Sequence, residues 1–372
     1  MIFEKVFKLQ NLTAERGGIM TKITKRPIYR LLLTAAILVF LGTTQVHAWQ
    51  GAQKWVFNAE TSVSGSPLVV GNTLLIGDNN GKLFALDKNS GKLLWSFNTG
   101  ASIKGRPAAI GKTVYFGGTD GTFFALDIGS GKERWRYSPV VVNMPGGSWS
   151  SPAAGEGRVY FNSVDGKVYA LNGESGALLW NFDTGRALRS APTFSDGLVF
   201  IGAYEGLFHA LNAKTGKKEW GGGSGGAIGS AATVSGGVVY FGSWDGVLQA
   251  VVIKGVVPQW KFSAGESITT SVAVAGGRLF FGTINGKLVA LDASSGTQAW
   301  EFAVPGGIHS TPAVHSGIVF FGSDGGAVYG LDAASGREVW KFDSGREIMS
   351  DPVVVDGVLY FGGFDGNVYA FE

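Results

Sequence analysis

The sequence predicts an all-β fold, an eight-bladed β-propeller of four-stranded antiparallel blades in which the N-terminal strand closes the ring. Three observations lead to this prediction. Eight Trp residues recur at spacings of 40, 40, 45, 40, 40, 40 and 40 residues, and a fixed period of this size is typical of repeat architectures. Apolar and β-branched residues alternate with period two in each repeat, which indicates strands and excludes helical repeats. A turn dipeptide ending in Gly also occurs eight times.

The repeated Trp residues are interpreted as structural. We expect each indole to be buried as an apolar plate between neighbouring blades, where it contributes a few kcal/mol. These residues are Trp55, Trp95, Trp135, Trp180, Trp220, Trp260, Trp300 and Trp340.

Each repeat has room for four strands of about six residues and four connections of about four. In the seventh repeat we expect strands A to D near residues 309–315, 318–323, 327–332 and 338–343. The dipeptide between strands B and C, such as Asn80-Gly81, predicts a type I′ turn. Between strands C and D, a residue such as Asp87 is expected to cap the turn while Gly91 takes the left-handed conformation.

The two ends of the chain complement each other. The last repeat ends at Glu372 without a strand D, whereas residues 51–57 form a strand D phrase with no strands before it. We therefore expect the N-terminus to complete the eighth blade and to remove an open sheet edge. Blade five departs from the pattern, because residues 249–260 lack the turn Asp and residues 220–226 lack the Phe that follows other Trp residues.

The first 48 residues predict a signal peptide region. Starting at Met20, a basic stretch precedes the apolar run at residues 31–42, and Val46 and Ala48 suit cleavage after Ala48. The run is shorter than the roughly 20 residues that span a bilayer, which disfavours the alternative of a retained membrane anchor. Residues 49–372 are then a single propeller domain, monomeric and soluble after export to the periplasm or the extracellular space, with no transmembrane anchor.

Composition excludes several classes of site. The chain has no Cys, so it has no disulfide, zinc-thiolate site, lipid-attachment cysteine or covalent haem. Its formal charge of +3 comes from the N-terminus, because 24 Lys and Arg face 26 Asp and Glu after residue 48. No basic stripe for nucleic acid is left, and we expect neither a nucleic-acid partner nor a metal site.

The phrases "ALDKNSGKLLW" (85–95), "ALDASSGTQAW" (290–300) and "GLDAASGREVW" (330–340) resemble the pyrroloquinoline quinone (PQQ) repeat, and the resemblance covers nearly all of residues 50–372. This family includes quinoprotein dehydrogenases and BamB-like scaffolds of outer-membrane protein assembly. The resemblance implies an exported, non-catalytic scaffold of the cell envelope that binds a protein or an anionic polymer, with no cofactor. The alternatives are an oxidoreductase that binds PQQ with Ca²⁺ and a structural surface repeat protein. The chain lacks the lipidated Cys of the BamB-like scaffolds and the adjacent Cys pair of the dehydrogenases.

One column ahead of strand A varies between otherwise uniform neighbours and should ring the mouth of the central channel. Its members are Ser64, Lys104, Trp149, Arg189, Gly229, Thr269, His309 and Met349. Arg106 and Asp351 lie two residues beyond this column. We expect Lys104, Arg106, Trp149, Arg189, His309 and Asp351 to form a binding site that favours an anionic group. The alternative is a solvated ring without a function.

A candidate partner loop follows from the single irregular spacing. Five extra residues fall near residues 138–150, on the face that carries the turns between strands B and C. Met144 and Trp149 are candidate partner anchors on this loop. Tyr204, Trp244 and Phe364, at turns between strands B and C, extend this site as an aromatic rim, unless they fold down as packing.

Overall fold

Eight antiparallel four-stranded sheets make up a computed structural model of the chain, which describes residues 49–139, 151–163 and 165–372. Within these residues there are 32 strands, and every sheet is ordered A-B-C-D from its first to its last strand. The predicted fold class, an all-β eight-bladed propeller, is therefore confirmed.

The inner two strands of each blade are short. Strands A are β2 (Leu68–Val70), β6 (Ala108–Ile110), β10 (Ala153–Gly155), β14 (Thr193–Ser195), β18 (Thr233–Ser235), β22 (Ala273–Ala275), β26 (Ala313–His315) and β30 (Val353–Val355). Strands B are β3 (Thr73–Gly77), β7 (Thr113–Gly117), β11 (Arg158–Asn162), β15 (Leu198–Gly202), β19 (Val238–Gly242), β23 (Arg278–Gly282), β27 (Ile318–Gly322) and β31 (Val358–Gly362).

The outer two strands are longer. Strands C are β4 (Lys82–Asp87), β8 (Phe123–Asp127), β12 (Lys167–Asn172), β16 (Leu207–Asn212), β20 (Val247–Val252), β24 (Lys287–Asp292), β28 (Ala327–Asp332) and β32 (Asn367–Phe371). Strands D are β5 (Leu93–Asn98), β9 (Glu133–Tyr137), β13 (Leu178–Asp183), β17 (Lys218–Gly223), β21 (Val257–Ser263), β25 (Gln298–Ala303), β29 (Glu338–Asp343) and, for blade eight, β1 (Gln53–Asn58).

Strand A is the one element shorter than expected. In the seventh blade it begins at Ala313 rather than near His309, directly after Pro312. Proline has no N–H to donate to a sheet, so the ladder starts one residue later. The other three strands of this blade lie where the sequence places them.

The N-terminal strand closes the ring, as predicted. β1 pairs antiparallel with β32, with Trp55 opposite Ala370 and Phe57 opposite Val368. Ala52 and Glu372 exchange both backbone hydrogen bonds at 2.9 Å, so the two chain ends together replace the turn that joins strands C and D in other blades. The eighth blade is thereby fastened by both ends of the chain.

The turns between strands B and C differ from the predicted type I′. In blade one the N–H of Gly81 bonds to the carbonyl of Asp78, and Gly81 has φ of 88° while Asn80 keeps a negative φ. This is a three-residue loop whose last residue is a left-handed Gly, the bulge that follows a type I turn. The Asp78 carboxylate accepts the N–H of Asn80 and of Lys82, which stabilises the longer loop.

The turns between strands C and D follow the prediction. The carboxylate of Asp87 accepts hydrogen bonds from the N–H of Asn89 and of Ser90, and Gly91 has φ of 70°. Gly91 has a second role, because a Cβ there would lie 2.7 Å from the Trp55 ring of the preceding blade. The turn therefore requires Gly both for its backbone and for the Trp that lies on it.

The core consists of eight apolar clusters, and each lies between two neighbouring blades. The repeated Trp residues belong to these interfaces, but only Trp55 and Trp180 are buried, at 8% and 9% exposure, and the other six are half-buried. Seven indoles donate a hydrogen bond to a backbone carbonyl of the following blade, namely those of Trp55, Trp95, Trp135, Trp180, Trp260, Trp300 and Trp340.

The interface between blades four and five is the exception. Within the described part of the chain, the Trp220 indole makes no such hydrogen bond, and Gly255 of the facing turn does not lie beneath it. Val256 in that turn has φ of 54°, a strained conformation for a β-branched side chain. The irregular sequence of blade five thus produces an irregular interface.

Candidate functional site

Successive A strands contact each other and form the innermost ring of the propeller. Hydrogen bonds between blades fasten this ring: the N–H of Arg106 donates to Ser151 Oγ at 2.8 Å, and the N–H of Thr311 donates to Asp351 Oδ1 at 2.6 Å. The N–H of Asp351 donates in turn to Ser66 Oγ at 2.9 Å. The positions two residues beyond the variable column therefore hold the ring together.

Arg106 and Asp351 carry opposite charges within this innermost ring. Burial raises the pKa of the Asp351 carboxyl, and the Thr311 hydrogen bond and the charge of Arg106 oppose that rise. Burial lowers the pKa of Arg106, whose Nε is buried without a hydrogen-bond partner. These two predicted site residues share one electrostatic environment, and the acidic group offsets part of the positive charge expected there.

Lys104 and His309, two members of the variable column, have different neighbours. Lys104 is half-buried, and burial lowers its pKa. His309 Nε2 lies 3.3 Å from Asp324 Oδ2, at the adjacent turn between strands B and C. Burial raises the pKa of Asp324, while the nearby His309 opposes that rise. His309 is thus accompanied by an acidic side chain.

Three predicted site residues come together at blades four and five. The guanidinium of Arg189 lies 5.8 Å from the ring centre of Tyr204 and 5.8 Å from that of Trp244. The two rings meet edge to face with their centres 5.5 Å apart. We call these three residues the Arg189 patch. Tyr204 is 44% exposed, so a partner can reach the patch.

Local sequence fixes the Arg189 patch. Leu188 and Ser190 on either side of Arg189 are buried, and Ser190 Oγ bonds to both the N–H and the carbonyl of Gly202, so the intervening side chain faces outward. Gly229 in the variable column leaves space for the indole, because a Cβ there would lie 2.5 Å from Trp244 Nε1. Gly229 therefore has a structural role within the variable column. A comparison of the repeats in sequence does not reveal this role.

Phe364 lies apart from the Arg189 patch. It is half-buried and lines an open cleft of about 480 Å³ beside blade eight, together with Ser62, Arg346, Glu347 and Asp365. Met144 and Trp149, the predicted loop anchors, lie outside the described residues. The aromatic rim is therefore divided, with two of its members in the Arg189 patch and one in this cleft.

The described residues show no carboxylate cluster of the kind that holds Ca²⁺. Calcium takes six to eight oxygen ligands, but no group of three or more His, Cys, Asp or Glu in the described ranges could hold a metal ion. In the innermost ring, Asp351 already accepts the N–H of Thr311. The described ranges also contain no helix with the length and apolar character needed to cross a membrane.

Several solved structures share this fold. The chain is similar to BamB from Moraxella catarrhalis, with a TM-score of 0.76 and 19% identity over 87% of this chain and 99% of that one. It is also similar to a europium-containing methanol dehydrogenase, with a TM-score of 0.74 and 14% identity over 86% and 92% of the chains. Sqt1 from Saccharomyces cerevisiae matches with a TM-score of 0.73 and 14% identity over 87% and 99%. At these identities the matches establish the fold alone.

In sequence, no curated protein matches the chain at a significant level. A family model does match: the PQQ_2 model, described as outer membrane protein assembly factor BamB, aligns with residues 42–183, 164–262 and 257–372. Since these matches span the whole propeller, the chain belongs to the PQQ_2 family of BamB-like repeat propellers.

Proposed function

We propose that this chain is an exported, non-catalytic scaffold that binds a protein partner of the cell envelope through the Arg189 patch. The observation that carries the proposal is the grouping of an exposed Arg with Tyr204 and Trp244 on one rigid face. Arg, Tyr and Trp are the residue types that contribute most to protein interfaces. Loops on a rigid scaffold are also the usual place for binding residues.

The family supports a place in outer-membrane protein assembly, because its model bears that description. The N-terminal 48 residues support export, since a basic stretch, a short apolar run and Ala48 follow the order of a signal peptide. We therefore place the mature chain, beginning at Trp49, in the periplasm as a soluble monomer. Mass spectrometry of the N-terminus checks this assignment, and an intact residue 31–48 segment in the membrane fraction contradicts it.

The contribution of the Arg189 patch is tested with the variant Arg189→Ala, Trp244→Ala and with a binding partner isolated on the mature chain. Two interface anchors of this kind contribute about 2 kcal/mol each, or about 4 kcal/mol together, so affinity should fall by roughly 700-fold. Lys214→Ala is the matched control, because Lys214 lies in the turn between strands C and D on the opposite face of the same blade. Equal binding by the patch variant would place the partner elsewhere.

The alternative of a quinone-dependent oxidoreductase draws support from the similarity to a methanol dehydrogenase. Adding PQQ and Ca²⁺ to the purified mature chain separates the two functions. We expect no bound-quinone spectrum and no dye-linked oxidation of alcohols or sugars. A quinone spectrum together with such oxidation would favour the enzyme.

A further inference from the structure

We propose that the outer edge of blade four, at residues 221–223 of β17, is a docking site for one extended polypeptide strand that carries an aromatic side chain. Three observations limit the occupant: an unpaired backbone edge, three successive residues without side chains, and open space beside Gly222.

The edge of β17 has backbone groups free to pair. β17 is the last strand of its sheet and is hydrogen-bonded to β16 alone. The N–H of Ser224 bonds to the carbonyl of Gly206, which makes the pair of Gly222 and Phe208 a hydrogen-bonded one. Because donors and acceptors alternate along an antiparallel strand, Gly221 and Gly223 direct their N–H and C=O away from the blade. A further strand can pair with them.

Residues 221–223 of this outer strand have no side chains of their own, although the Lys218 side chain lies beside Gly221. Natural sheets shield their edges with charged or bulky residues, and exposed edges otherwise attract additional strands. All three glycines after Trp220 in β17 are exposed. The other outer strands carry an aromatic residue two positions after the Trp, namely Phe57, Phe97, Tyr137, Phe182, Phe262, Phe302 and Phe342.

A gap lies where the missing aromatic ring would pack. In other interfaces this ring contacts a side chain of strand C in the next blade, as Phe182 contacts His209 at 5.5 Å and Phe342 contacts Tyr369 at 5.0 Å. The corresponding residue of blade five is Gln249. A Cβ added at Gly222 would meet no atom within 4 Å. Gln249 itself is only 5% exposed, so other residues cover it and the open space lies beside Gly222 rather than at Gln249.

An extended strand with an aromatic residue satisfies all three features. Its backbone would pair with Gly221 and Gly223, which is the main-chain mode of peptide recognition by sheet edges. An aromatic side chain beside an edge glycine leans over that glycine, and here it would occupy the gap at Gly222. An extended strand with an aromatic residue is therefore the occupant that this edge fits best.

This edge is distinct from the Arg189 patch, although both belong to blade four. The two sites are nevertheless close, because Gly223 pairs with Leu207, which lies three residues after Tyr204. The inference does not depend on the patch, and the two sites can be tested separately with variants of each.

The probe is a seven-residue capped peptide of alternating Thr and Tyr, titrated into the mature chain by fluorescence anisotropy. Gly222→Phe fills the gap with the residue used in other blades, and it should weaken binding at least about tenfold, or about 1.4 kcal/mol. Lys214→Ala, in the turn before the same strand, leaves residues 221–223 unchanged and should bind within about twofold of the parent. Arg189→Ala, Trp244→Ala should also bind the peptide like the parent.

Four results would overturn the inference. One is that the parent binds the peptide no better than it binds a Gly-Ser peptide of the same length. Another is that Gly222→Phe binds it as tightly as the parent. A third is equal binding of a peptide N-methylated at alternate residues, which cannot pair along one edge. Loss of peptide binding in the Arg189→Ala, Trp244→Ala variant alone would also contradict the edge site, while it would leave the proposed function standing.

Discussion

His209 occupies a strand C position at which six of the other seven repeats have apolar or aromatic side chains such as Phe124 and Tyr329. It is 5% exposed, and neither ring nitrogen has a hydrogen-bond partner. Burial, and secondarily the charge of Lys218, lowers its pKa to about 4. The folded state therefore keeps a neutral imidazole at pH values where the unfolded chain is already protonated.

This buried His209 should make stability depend on pH. The folded pKa lies below the unfolded value of about 6.5, so the stability linked to His209 is complete above pH 6.5 and is lost as the pH falls toward 4, by at most about 3 kcal/mol. His209→Phe should flatten this dependence. Urea unfolding at pH 7, 5.5 and 4 measures it, with His315→Phe as the control. An unchanged pH dependence in His209→Phe would contradict the assignment.

At the residue level the sequence identified the members of the site but not their arrangement. Arg189, Tyr204 and Trp244 were each recognisable, because repeats can be compared position by position. Their contact depends on the missing Cβ of Gly229, which only the three-dimensional positions reveal. The partial neutralisation of Arg106 by Asp351 likewise joins blades two and eight, which are far apart in sequence.

At the level of elements, the strands were predictable because each repeat contains the same alternation of apolar residues. The turns between strands B and C were not, since the same Asn-Gly pair suits a two-residue loop as well as the three-residue loop that forms. The residue before the loop does not decide either, because the same loop forms after Gly118 and after Ala203; in blade one the Asp78 carboxylate adds bonds to two N–H groups.

The interblade Trp residues should contribute unequally to stability. Trp180 is buried and donates a hydrogen bond to Ala213 at 3.0 Å, whereas Trp220 has no such bond in the part of the chain that the structure describes. Trp180→Ala should reduce the free energy of unfolding by about 3 to 5 kcal/mol. The loss of unfolding free energy in Trp220→Ala should be smaller than in Trp180→Ala by about 1 kcal/mol, which is the contribution of one hydrogen bond. Chemical denaturation of both variants measures the difference, and equal losses would contradict it.

For the whole molecule, stability depends on the closure of the ring by β1. Deleting residues 50–59 removes Trp55 and one of the 32 strands in the described residues, and it exposes the edge of β32. We expect loss of soluble expression or a strongly lowered melting temperature. Deleting only residues 1–48 is the control, since it leaves all described strands in place. A truncated protein that melts like the parent would show that closure is unnecessary.

The central claim is that the propeller binds a protein partner through the face that carries the Arg189 patch. The most direct measurement is photo-cross-linking in cells, with a photoreactive amino acid at position 204 and, as the control, at position 214 on the opposite face of the same blade. The account predicts a discrete protein adduct from position 204 that disappears with Arg189→Ala, Trp244→Ala, and none from position 214. Adducts from position 214 alone, or an adduct at position 204 that persists in the patch variant, would contradict the claim.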